Sequence, residues 1–202
     1  MKHYIGIAGT NSRHSTNRQL LQYIRQHFED LATVELVELD DLPLFYKTTD
    51  RSVPAEATAL AAKIEAADGV IIATPEYDHA TPAVLSSALA WLSYHIHPFA
   101  GKPVLITGAS YGALGTSRAQ AQLRQILESP ELDARIMPSA EFMVGHSLQA
   151  FDEQGNLEDS TLTKQLDGLM RDFGIFVDLN AQLTNSLAAA KPEWHETAET
   201  EA

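Results

Sequence analysis

The chain has 202 residues, 45% of them hydrophobic, and a formal net charge of -13, which is apolar material enough for one sizeable core. That acidity excludes nucleic acid and anionic membrane as partners, because both demand a basic footprint. No apolar run approaches the roughly 20 residues of a membrane span, the N-terminus leads into a strand without a charged-then-apolar leader, and cysteine is absent; a cytoplasmic protein is expected, and redox chemistry in it would need a bound cofactor.

Residues 3–9 form a short apolar run ending in Gly9, as expected of the first strand of a parallel sheet. The polar loop Thr10-Asn11-Ser12-Arg13-His14-Ser15-Thr16-Asn17 follows, and a helix with Leu20, Leu21, Ile24 and Phe28 on one face begins near Thr16 or Asn17. Hydroxyls, amides and one arginine at a helix N-terminus suit a phosphate monoester. Ordinary N-capping by Ser15 or Thr16 explains the same loop equally well. Neither G-x-x-x-x-G-K-[ST] nor G-x-G-x-x-G is present.

Residues 33–39 alternate polar and apolar, which predicts a half-exposed strand at or near a sheet edge. A long loop with Phe45 and Tyr46 then reads as a packed cover or part of a subunit interface. Residues 55–67 predict a helix ending at Asp68-Gly69. The run 69–73 is a buried strand, followed by Thr74-Pro75-Glu76-Tyr77-Asp78-His79-Ala80-Thr81-Pro82 and a helix over 83–94. Two prolines and a Glu-Tyr pair stiffen that loop into a platform for a planar, polar-edged cofactor.

Residues 102–108 are a further buried strand. Its loop carries Ser110, Tyr111, Gly112 and Gly115, where glycine lets the backbone approach something flat, although a plain glycine turn accounts for it too. A helix over 117–128 follows. Residues 134–137 and 141–144 predict one last strand broken at Pro138-Ser139-Ala140, and residues 161–179 predict a helix packing across the sheet. The domain thus covers 1–179, with 180–202 a helical extension that frays into an acidic tail.

Five alternating strands and helices call for a doubly wound, five-stranded parallel α/β sheet with helices on both faces. Ligands of such sheets bind at the carboxyl edge, where the loops after strands one, three and four meet. A phosphate-type loop, a stiffened platform and a glycine loop together suit flavin mononucleotide (FMN).

Over residues 3–179 the chain resembles the NADPH-dependent FMN reductase family, with its flavodoxin-like fold and its quinone, azo-dye and chromate reductase relatives. Residues 9–17 are similar to the family's G-S-x-R-x-x-S-x-N, with Ser12 at the arginine position and Arg13 one place late. Residues 75–91 are similar to P-E-Y-N-x-S-x-P-x-x-L-K-N-A-x-D-W, with Asp78, Ala80, Ser86, Ser87 and Ala90 as departures. The third loop is similar to S-x-G-x-x-G-G-x-R-A, with Thr116 replacing a glycine.

The resemblance implies FMN held by Thr10, Ser12, Arg13, Ser15, Thr16, Asn17, Pro75, Glu76, Tyr77, Asp78, Ser110, Tyr111 and Gly112. It implies NADPH or NADH as hydride donor and a flavin, quinone, azo or similar small molecule as acceptor. The flavin carries the chemistry, so no catalytic side chain is required, and Tyr77 and His79 are the candidates for giving a proton to a quinone. A homodimer or homotetramer is expected, with Trp91, Tyr94, Phe45 and Tyr46 as candidate contact residues. His95 and His97 lack a carboxylate at ligand spacing, and no metal is expected. A flavodoxin-type one-electron carrier and a cofactor-free regulatory module on the same fold are the alternatives.

Overall fold

The computed structural model describes residues 1–189. Its strands are β1 (Lys2–Ala8), β2 (Ala32–Val37), β3 (Gly69–Ala73), β4 (Pro103–Ala109), β5 (Arg135–Ile136) and β6 (Phe142–Val144). Its α-helices are α1 (Thr16–His27), α2 (Ala55–Ala66), α3 (Ala83–Trp91), α4 (Ser117–Leu127) and α5 (Ser160–Ala189). The sheet is wholly parallel, in the order β2-β1-β3-β4-β5, with β6 also pairing β4. β5 and β6 are therefore two pieces of one edge position. The break falls at Pro138-Ser139-Ala140 as expected, with Ser139 at φ 56°.

Period-two alternation divides the central strands between two cores. Tyr4, Ile71 and Leu105 face α1 and α5, whereas Ile5, Val70, Ile72 and Val104 face α2, α3 and α4. Helical spacing does the rest: Leu20, Leu21 and Ile24 of α1 and Leu166, Met170, Phe173 and Val177 of α5 are buried on the first side. Each such side chain contributes about 1.5–3 kcal/mol by leaving water. β2 is the half-exposed edge strand that its alternation predicts.

The loop after β2 folds over the end of α3. Phe45 meets Trp91 and Tyr94 edge-on, with ring centroids 4.9 and 5.5 Å away, and the Trp91 indole donates to the Pro43 carbonyl at 2.8 Å. Trp91 is consequently fully buried and is not a surface for a second subunit, contrary to expectation. Tyr46 remains exposed. His95 lies edge-on against Tyr94, and the His97 ring bonds the Glu131 carbonyl.

α5 runs unbroken through residue 180. Arg135 bonds the Asn180 carbonyl at 3.2 Å and the Thr184 hydroxyl at 2.9 Å, so the extension is helical and its start is tied to β5. The acidic end of the tail lies outside the described residues.

Candidate functional site

The loops after β1, β3 and β4 meet at the carboxyl edge of the sheet around a cleft of about 780 Å³. Ser15 caps α1, its hydroxyl oxygen accepting the Arg18 amide at 3.2 Å. The Thr16 and Asn17 amides open the helix and have no acceptor among the described residues. Two free N–H groups and the hydroxyl proton of Ser15 thus face one end of the cleft, where the helix dipole adds its positive end.

The side chains of this loop brace it. Asn17 is buried and exchanges two hydrogen bonds with Ala109, each 2.8 Å, which joins the start of α1 to the end of β4. Thr16 Oγ1 meets Ser147 Oγ at 2.8 Å. Thr10 is buried, accepts the Ser12 amide and pairs with the Tyr77 hydroxyl at 3.0 Å. Arg18 is gripped by both Glu38 oxygens, at 2.6 and 2.7 Å, and donates to the Ser12 carbonyl at 2.7 Å.

The platform is tighter than a proline-stiffened loop. Tyr77 and Ala80 exchange backbone bonds of 3.1 and 2.9 Å, and Asp78 and His79 between them have φ of 50° and 65°. This is a two-residue hairpin turn with both central residues left-handed. Asp and His tolerate that region better than most residues, and both residues are exposed.

Glu76 anchors the hairpin to α4. Thr116, the N-cap of that helix, caps none of its backbone amides, its hydroxyl accepting the Gln120 side-chain amide at 2.9 Å; the Glu76 carboxylate accepts the Arg118 and Ala119 amides instead, at 2.9 and 3.2 Å, and the Arg118 guanidinium at 3.0 Å. Its side chain is only 9% exposed. Burial works against its charge, but the Ala119 amide, His79, the Arg118 amide and the Arg118 charge outweigh it and hold the carboxyl below its ordinary value. His79 Nδ1 faces both Glu76 and Arg118.

The third loop is stitched to the end of β6 and the segment after it by Ser110 N–H to Val144, His146 N–H to Gly112 and Ser147 N–H to Ser110. Gly115 has φ 60°, and a Cβ there would collide with Met143. Gly112 is open, with Tyr111 and Leu114 standing exposed beside it.

Of the residues expected from sequence, Ser12, Ser15, Thr16, Asn17, Pro75, Glu76, Tyr77, Asp78, Ser110, Tyr111 and Gly112 line the cleft. Thr10 and Arg13 do not. Thr10 is a buried strut behind the wall, and Arg13, displaced by one position, lies over a neighbouring depression. His14, Leu114 and Arg118 line the cleft without having been singled out as ligands.

The cleft fits FMN. Its volume lies within the roughly 300–1,000 Å³ usual for cofactor sites. One end offers the uncommitted Thr16 and Asn17 amides and the Ser15 hydroxyl proton for a phosphate, and Pro75, Tyr77, Ala109, Tyr111 and Leu114 give the remainder an apolar and aromatic lining. The architecture and the cleft are those of a flavodoxin-like α/β protein, with room for a mononucleotide at the carboxyl edge of its sheet.

Comparison with known proteins narrows this class. The chain belongs to the NADPH-dependent FMN reductase family, whose model matches residues 3–149. It is 54% identical over 190 residues to the NADH:(hydroxy)cinnamate reductase subunit CrdA of Vibrio ruber, covering 94% of each chain. It is 39% identical to the NADH-dependent flavin reductase subunit 2 of Lactobacillus johnsonii, covering 86% of this chain and 96% of the other. It is 41% identical to a quinone reductase of Escherichia coli, over 70% and 77%. The fold matches FerB, a flavoenzyme NAD(P)H:(acceptor) oxidoreductase from Paracoccus denitrificans, with TM-score 0.80 at 24% identity, covering 89% of this chain and 99% of that one. The protein is an FMN-dependent NAD(P)H oxidoreductase.

Proposed function

We propose that FMN lies with its phosphate over the Thr16 and Asn17 amides and the Ser12 and Ser15 hydroxyls, and with its ring against the hairpin at Tyr77 and Asp78 and the backbone of residues 110–112. The observation that carries this reading is the meeting of free helix-start amides and a tight hairpin in one cleft. Bound there, FMN would supply the redox chemistry between NAD(P)H and a second small molecule. The chain's own groups supply position. Asn17 fixes the phosphate end against β4, Thr10 ties that end to the hairpin, and Glu76 holds the hairpin on α4. Tyr77, Tyr111 and Leu114 form the walls at the mouth and limit water.

The acceptors we assign are planar electrophiles such as flavins, quinones and azo compounds, in keeping with the flavin- and quinone-reductase names of the relatives. To His79, exposed within the turn, we assign the giving of a proton to a reduced quinone. We assign the protein to the cytoplasm as a homodimer or homotetramer whose second copy covers the mouth, where Tyr77, Tyr111 and Leu114 are 47, 58 and 65% exposed. NADPH and NADH are both admitted as donors.

The test is an anaerobic absorbance experiment on protein freed of excess FMN. A retained flavin spectrum that bleaches fully within seconds of NADPH or NADH addition is expected, and retention without bleaching by either would contradict the reductase assignment.

A further inference from the structure

Beside the phosphate end of the cleft lies a second depression of about 350 Å³, which shares His14, Ser15, Thr16 and Tyr111 with it. Its remaining wall brings a cation, Arg13, together with the carboxamides of Gln19 and Gln22 on α1 and the exposed side chain of Leu148. Arg18 also borders it, but its charge is taken up by Glu38. Arg13 has no carboxylate partner among the described residues. In a chain of net charge -13, an unpaired arginine beside an anion cradle marks the place where a second anionic group is tolerated.

We infer that this depression is an adenylate subsite, taking the adenosine-phosphate half of a dinucleotide whose other half occupies the main cleft. The inference rests on FMN lying with its phosphate at the start of α1. The chemistry of the wall matches each part of that ligand. Arg13 meets the phosphate next to the cradle with its planar fork. Tyr111 and Leu148 offer aromatic and apolar surface to the adenine, whose ring face stacks and whose edge both donates and accepts. Gln19 and Gln22, one helical turn apart on one face, present carboxamides that match that edge. Two molecules carry this half: FAD, joined through the flavin phosphate itself, and NAD(P)H arriving over the cleft. Arg13 thus acquires a role that its absence from the main cleft leaves open.

The test uses the full chain and the variants Arg13→Gln and Gln22→Ala, with flavin fluorescence titrations for FMN and FAD and steady-state kinetics with NADH, NADPH and reduced nicotinamide mononucleotide, which lacks the adenylate. If FAD is the source, Arg13→Gln loses about tenfold in FAD affinity and Gln22→Ala about fivefold, the losses expected for a hydrogen bond to a charged and to a neutral group, while FMN affinity stays within about twofold. If the donor is the source, KM for NADH and NADPH rises by a similar factor while that for reduced nicotinamide mononucleotide does not move. FMN bound normally by all three proteins, with neither change, overturns the subsite alone. Failure of the unaltered chain to bind FMN overturns the FMN reading and the subsite with it.

Discussion

Glu76 and Asp78 sit two positions apart and do opposite things with the same functional group. Glu76 spends its carboxylate on the first turn of α4, so Glu76→Gln should lower stability by about 1–2 kcal/mol, the scale of a lost N-cap. Because the folded carboxyl titrates below its ordinary value of 4.5, its contribution is complete above that value and disappears as the pH falls through the lowered one. Urea unfolding midpoints between pH 3 and 7 check this: Glu76→Gln should flatten the acid limb, and an unchanged limb would count against the cap. Asp78 has no partner among the described residues and stands at the turn against which the flavin is assigned. Its charge opposes an anionic reduced ring, so Asp78→Asn should raise the midpoint potential by about 30 mV, equivalent to about 1.4 kcal/mol for a two-electron couple. Asparagine accepts the left-handed backbone at least as well. Spectroelectrochemistry of the FMN-loaded pair decides it.

At the scale of elements, the carboxyl edge works because β3, β4 and α4 approach one another closely. Gly108, at the end of β4, has no room for a Cβ beside the Thr74 carbonyl and the Thr116 hydroxyl, and Gly108→Ala should cost about 3 kcal/mol as the edge is forced apart. Thermal unfolding measures it; a loss within experimental error would mean that the edge yields freely. The strands and most helices were legible in sequence because period two and period 3.6 survive in their apolar residues. The three ligand loops were legible as compositions and as motif resemblances. What sequence left hidden was partnership across distance: Asn17 with Ala109, Thr10 with Tyr77, Glu76 with the start of α4. Residue types announce a donor or a carboxylate, not which element will be beside it. The hairpin was hidden as well, since Asp78-His79 lacks the Asn-Gly or Asp-Gly pair that announces such turns. Trp91 misled because the loop that buries it has no periodicity of its own.

Across the whole molecule, a net charge of -13 sets copies of the chain against one another, while the rim of the cleft exposes Tyr77, Tyr111 and Leu114. Association through that rim should strengthen as salt screens the repulsion, which sedimentation velocity at 0.05 and 0.5 M NaCl would show as a shift to larger species. A single position independent of salt would argue against the oligomer. If FMN rests on the hairpin between Tyr77 and Ala80, fluorescence titration of FMN into the unaltered chain and into Tyr77→Pro must tell the two proteins apart. Proline removes the Tyr77 N–H that closes the turn on Ala80. Saturable quenching is expected with the first protein and none with the second, with far-ultraviolet circular dichroism the same for both; equal affinity in a folded Tyr77→Pro variant would mean that FMN does not rest on the hairpin.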